Sequence, residues 1–204
     1  MTSSLPHSRS DHNPILVLDA SVAINLLGTG RPADLLRIVG QRVVIEENAY
    51  KEVVRDPFNG NSGCDSLNTL ISMDLLRLER LSNEGYELFL ELTGADPPDD
   101  LDDGEAATIA YSLVVRGIPL LDERKAKRIA QKRGLSVMTT LDLLRSQQIV
   151  DTLGRNELAN VLYNAISHAR MRVPSDDRQW VGNMIGTARA ASCSSLGPSC
   201  RKRR

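Results

Sequence analysis

Aromatic side chains are scarce, at 3% of the 204 residues with a single Trp. Gripping nucleotides chiefly by stacking bases on rings needs more than this, so that mode is excluded as the main one. Cysteine is also rare. Cys64, Cys193 and Cys200 form no CxxC pair and no zinc-ligand spacing. Their odd number and wide separation fit a reducing compartment rather than a disulfide framework. No apolar run approaches the roughly 20 residues of a membrane span. The N-terminal MTSSLPHSRSDHNP lacks the apolar core of a secretory signal, so the chain reads as cytosolic, with no membrane partner. Charge of one sign is missing as well: 25 Lys and Arg face 26 Asp and Glu, a net charge of −1. An anionic ligand must therefore be met by local charge or by metal. No GxxxxGK[ST] loop exists, which argues against an NTPase.

What is present is a 41% hydrophobic chain, long enough for one large domain or a domain with an appendage. Short β-forming runs end abruptly at turns or acids: Ile15 to Leu18, Arg42 to Ile45, the alternating Leu75 to Leu81, Ile118 to Leu121 and Leu135 to Met138. Between them lie helix-period patterns at residues 22–27, 31–39, 47–55, 65–74, 82–93, 104–116 and 123–133, then a helix over 141–148 capped by Thr140. Strands alternating with helices predict a three-layer α/β/α sandwich around a central parallel sheet. Beyond Val150 only helical patterns follow, over 156–171 and 178–190. The expected division is a flexible arm at 1–14, an α/β domain at 15–150, a helical extension at 151–190 and a disordered tail at 191–204.

In an open parallel sheet, ligands bind at the carboxyl ends of the strands. Asp19 is the first residue after one apolar run and Asp122 the first after another, so both belong on that rim. Glu52, one turn into the helix after Ile45, borders the buried positions Ala49 and Val53. Glu105 opens the helix after the acidic loop GADPPDDLDD, with Asp102 and Asp103 just before it. Converging carboxylates repel and disfavour one another's ionisation, a penalty that a divalent cation removes. Oxygen donors without His or Cys select a hard ion, Mg²⁺ or Mn²⁺, and such a site suits phosphoryl chemistry.

Each acid alone has a plainer reading. Asp102 and Glu105 have capping-box spacing. Asp19 and Asp122 can cap the helices after them, and Glu52 can be a solvated helix acid. The set is what carries the metal reading. His7 and His12 lie in the arm and His168 on a late helix, which leaves no His well placed as a general base. The helix after Asp122 carries Arg124, Lys125, Lys127, Arg128, Lys132 and Arg133. Such a run is ordinarily a solvated face, but here it starts beside the acids, where it can also meet a phosphate backbone.

The segments ILVLDASVAINLL, VVIEENAYKEV, LDDGEAATIAYSL and IPLLDERKAKRIAQKRGLSVMTTLDLL, spanning about residues 15–148, together resemble PIN-domain proteins. The nearest pattern is that of VapC-type ribonuclease toxins with a GE signature. The resemblance implies a metal-dependent endoribonuclease, with Asp19, Glu52, Glu105 and Asp122 as catalytic and metal-binding acids and Asp103 as an auxiliary ligand. It also implies Mg²⁺ or Mn²⁺ as cofactor, RNA as substrate bound in part by Arg124 and Lys125, a cognate antitoxin, and homodimers. The chain departs from the subgroup with Glu123 where an Asp is usual, and in lacking a proline near Glu46. A rival reading keeps the fold as a catalytically inactive RNA- or protein-binding module. Phosphotransfer by an Asp nucleophile is disfavoured, because Ser21 occupies the position where a second Asp is required.

Overall fold

In the computed structural model, residues 14–196 are described. The predicted arm with His7 and His12, and most of the predicted tail with Cys200, lie outside them. The element order is β1 (Leu16–Leu18), α1 (Ala20–Gly28), α2 (Pro32–Val39), β2 (Val43–Glu46), α3 (Glu47–Glu52), α4 (Gly63–Ser72), β3 (Arg77–Glu79), α5 (Asn83–Thr93), α6 (Asp103–Val115), β4 (Ile118–Leu120), α7 (Arg124–Lys132), α8 (Thr140–Leu144), α9 (Gln147–His168), α10 (Arg178–Ile185) and α11 (Thr187–Ser192).

The four strands form one all-parallel sheet in the order β3-β2-β1-β4. Alternation along the strands explains the layers. Leu16, Leu18, Val43, Ile45 and Leu120 point into a large core with α1, α2, α4, α8, α9 and α10. Val17 and Val44 point the other way, onto Tyr111 of α6. Behind that face α5, α6 and α7 share their own core of Leu92, Ile109, Ala110, Leu121, Ala126 and Ile129. The architecture is thus the expected α/β/α sandwich. The helices after Val150 pack into the same core as the sheet: Leu158, Leu162, Val181 and Ile185 are all buried there. Gly28 approaches Ala169 so closely that a Cβ would stand 2.5 Å from the alanine methyl, which fixes α1 against the end of α9.

Four local expectations are corrected. The helix predicted over 47–55 stops at Glu52, because Arg55 pairs with Ser62 in an antiparallel bridge and Asp56 folds its carboxylate over the Phe58 amide. The strand predicted over 135–138 shrinks to one bridge between Met138 and Leu120. Its apolar residues Leu135 and Val137 instead pack on the α5–α7 core. Thr139, not Thr140, caps α8, through a reciprocal pair with Asp142. Last, α9 starts nine residues before the predicted Asn156 and bends at Gly154, whose φ of 69° leaves helical space.

Candidate active site

Parallel strands send their carboxyl ends to one edge. The Asp19 amide donates to the Leu120 carbonyl of neighbouring β4 at 3.2 Å, so Asp19 and Asp122 leave adjacent strands at the same rim. Asp19 does cap α1: its Oδ2 accepts from the Ser21 amide at 3.1 Å and from Ser21 Oγ at 2.5 Å. It is also 4% exposed, which is far drier than an ordinary cap. Glu105, in the first turn of α6, is 6% exposed. Asp102 caps that helix, accepting the Glu105 amide at 2.8 Å.

Glu52 ends α3 and arrives from the other side. The residue is exposed, yet its carboxylate turns onto the start of α6, where Oε1 accepts the Gly104 amide at 2.8 Å. A Cβ on Gly104 would stand 2.6 Å from both Glu52 oxygens. The glycine before Glu105 is therefore what lets Glu52 come this close.

The electrostatics agree with this convergence. Burial pushes the Glu105 carboxyl up to about 7, and the charges of Asp102 and Asp19 add to it, while Lys125 opposes. Burial likewise lifts Asp19 to about 6, against the Ser21 hydrogen bonds and with the Asp102 charge. Glu52 is raised by desolvation first, then by Asp102, with Asp19 and Asp103 contributing. Asp102 thus acts on all three, and Asp103 acts on Glu52. Among the described residues no Lys, Arg or His forms an ion pair with any of these acids; Lys125 spends its charge on Asp100 at 3.4 Å.

Asp122 has a different environment. Its Oδ2 accepts from Asn25 Nδ2 at 2.7 Å and Thr140 Oγ1 at 2.6 Å, and its Oδ1 from the Thr140 amide at 2.9 Å. The reading of Asp122 as the cap of α7 is corrected: Glu123 holds that position, without a side-chain bond. Asn25 and Thr140 were not singled out as partners of Asp122, although an Asn between Ala23 and Leu26 on the buried stripe of α1 was a visible signal. Also missed was Glu46, which ends β2 at 2% exposure and accepts the Asn48 amide at 2.6 Å.

Most of the basic face of α7 is neutralised within the chain. Arg128 and Lys132 hold Asp99 at 2.5 and 3.2 Å, and Arg133 holds Glu91 at 2.7 Å. Arg124 stands exposed at the start of the helix, with no ion pair among the described residues. His168 packs edge-on against Phe58, with ring centroids 5.0 Å apart.

A family model described as a PIN domain matches residues 15–181. The chain belongs to the PIN-domain family. Comparisons with curated proteins and with solved structures give no match. PIN domains are generally nucleases and typically use divalent metal ions. In this PIN domain the match continues past Val150 through α9 into α10, so those helices lie inside the matched region. No helix among its described residues is long and apolar enough to cross a membrane.

The donor chemistry of this PIN domain fits a hard divalent ion. Every candidate ligand is a carboxylate oxygen, and the two most buried are raised to about 6 and 7 by burial and by the charge of neighbouring acids, a cost that a cation offsets. Among the described residues no three acidic, His or Cys side chains already stand in a ligating arrangement. Glu52 is turned onto Gly104, and Asp122 onto Asn25 and Thr140.

Proposed function

We propose that this PIN domain is an endoribonuclease that hydrolyses RNA phosphodiester bonds with Mg²⁺ or Mn²⁺. One observation carries the reading: Asp19 and Glu105 are almost fully buried carboxyls that form no ion pair among the described residues, driven up to about 6 and 7 by burial first and then by the acids around them, with the Lys125 charge opposing at Glu105. Structural acids are ordinarily neutralised by a base or left in water. Asp19, Glu52, Glu105 and Asp122 would hold the ion, with Asp102 and Asp103 adding negative charge at the mouth. When bound, such an ion acidifies water and offsets charge on the scissile phosphate.

The chain's own groups do the rest. Ser21, Asn25 and Thr140 orient the Asp19 and Asp122 carboxylates by donating to them, as supporting hydrogen bonds do around a ligand set. Gly104 keeps room for Glu52. Arg124 and Lys125, at the start of α7, steady the RNA backbone.

The finer reading makes the protein the VapC-like toxin of a toxin–antitoxin pair, working as a homodimer in the cytoplasm. Support comes from the exposed apolar side chains Tyr86 and Leu90 on α5 and Leu78 on the edge strand, which suit a protein partner. A small reading frame next to this one, whose product binds the protein and stops cleavage, is the expected finding.

The test is to incubate the purified protein with mixed single-stranded and structured RNAs, with Mg²⁺, with Mn²⁺ and with chelator. Metal-dependent cleavage that Asp19→Asn abolishes is the expected result. Absence of cleavage and of Mn²⁺ binding at millimolar metal would favour the inactive binding module instead.

A further inference from the structure

We propose that Arg172, on the segment joining α9 to α10, is a phosphate-binding residue of the RNA groove, so that the C-terminal helices complete the substrate site. The inference rests on the nuclease reading and extends it to a part of the chain with no assigned role.

The placement follows from the backbone. Helix α9 ends at His168, and Arg170 takes a positive φ of 56° that turns the chain back. The following residues belong to no regular element and alternate in burial. Met171 and Val173 are buried in the main core at 2% and 4% exposure, so Arg172 between them is forced outward. Beyond it, Arg145 clamps the segment, ion-paired to Asp177 at 2.5 Å and stacked 4.3 Å above the Trp180 ring. Two buried anchors and a clamp thus hold a short strap and give the outward Arg172 an address on the surface.

That address is the rim. Arg172 Nη1 lies 3.5 Å from Glu123 Oε1, and Glu123 directly follows Asp122. The pair is solvent-bathed, with side chains 87% and 55% exposed. An ion pair so exposed contributes little, so a phosphate oxygen can take the place of the Glu123 carboxylate at small cost. Local charge makes such a cation necessary. The acids at the rim repel an RNA backbone, while Arg128, Lys132 and Arg133 are already committed to Asp99 and Glu91. Arg172, beside Glu123, and Arg124, the next residue along the chain, are therefore both exposed guanidiniums, and a guanidinium fits phosphate in two-pronged fashion.

The experiment uses the full chain carrying Asp19→Asn, so that RNA is bound and not cut, with Mn²⁺ present and a fluorescein-labelled single-stranded RNA as probe. Binding is titrated across salt concentrations. Arg172→Ala is expected to weaken binding about three- to tenfold and to lower the slope of log affinity against log salt by about 0.7, the value for one lost phosphate contact on a single strand. Arg172→Lys is expected to restore most of the slope. Glu123→Gln is expected to tighten binding more with Arg172 present than in Arg172→Ala, because the carboxylate competes for that guanidinium. In the otherwise native chain, Arg172→Ala should raise KM and leave kcat unchanged. An unchanged salt slope, or a loss of affinity matched by a fall in Tm, overturns the inference and leaves the nuclease reading standing. Failure of the Asp19→Asn protein to bind RNA, together with failure of the otherwise native chain to cleave it with Mg²⁺ or Mn²⁺, overturns both.

Discussion

Asp19 and Asp122 occupy equivalent places: each follows an apolar strand, and the strands are neighbours in the sheet. Their surroundings are nevertheless opposite. Asp122 receives three hydrogen bonds from Asn25 and Thr140, enough to hold a carboxylate in one orientation. Asp19 receives its bonds from the start of its own helix, Ser21 foremost, is almost wholly buried, and faces Asp102 and Glu105, with its carboxyl lifted to about 6. One side of the rim is settled and the other is under electrostatic strain. A site that must gain a cation needs both kinds of group. Strained carboxylates supply the drive to bind, and a fixed one supplies direction.

The strongest way to break this comparison is to neutralise the strained side. Asp19→Asn or Glu105→Gln should cut RNA cleavage by at least about 10²-fold, since metal-site ligands are lost. Either change should also raise the Tm of the metal-free protein near neutral pH, because a buried uncompensated charge has gone. RNA cleavage assays and thermal melts read the two effects, and a fall in both would place these acids on the settled side.

Asp122 should respond with the opposite sign. Thr140→Val removes the hydroxyl donor and leaves Asp122 less satisfied, costing about 1–3 kcal/mol of stability. Urea unfolding measures it. A neutral result would mean that the Asp122 network carries no structural weight.

The pH dependence separates the two sides further. Glu105 rises from an ordinary 4.5 to about 7 on folding. The folded state thus holds its proton more tightly than the unfolded state. The associated stability is fully present below about 4.5 and is lost as pH rises through about 7. Metal-free protein should therefore melt at lower temperature at about pH 8 than at about pH 5, and Glu105→Gln should flatten that slope. Added Mn²⁺ should recover the loss at the higher pH, and chelator should remove the gain. Melting curves across pH, with and without Mn²⁺, check all three.

The smallest expected change is at Gly104. Gly104→Ala puts a methyl where the Glu52 carboxylate lies, pushing Glu52 off the α6 amide. Mn²⁺ affinity should fall several-fold, within the range seen when groups supporting a metal site are altered, with little loss of helix content. Calorimetric titration of Mn²⁺ measures it.

Much of the site could be read from the chain because its logic is local. An apolar run ending in Asp marks a strand end, and GE after an acidic loop marks a helix start; Asp19, Asp122 and Glu105 were found this way. Asp102 is visible too, since its spacing to Glu105 is that of a capping box and is compatible with a metal role. That its charge also bears on Asp19 and Glu52 depends on how α3 and β1 meet the start of α6. Thr140 was misread as a cap because Thr139 and Thr140 look alike in sequence. Only the packed loop shows which hydroxyl turns to Asp142 and which to Asp122. Residues 135–138 carry a strand's composition, yet a single bridge forms, since apolarity is satisfied equally well by packing on helices.

By itself, then, the amino-acid order determined the α/β/α alternation, the strand ends and which acids leave them, because periodicity and abrupt polarity changes act over a few residues. Tertiary structure alone decided which carboxylates share a space, which are quieted by hydrogen bonds, and that a strap from beyond Val150 brings Arg172 to the rim. Those outcomes depend on distances between residues dozens of positions apart, and charge interactions follow distance in space and burial rather than position along the chain.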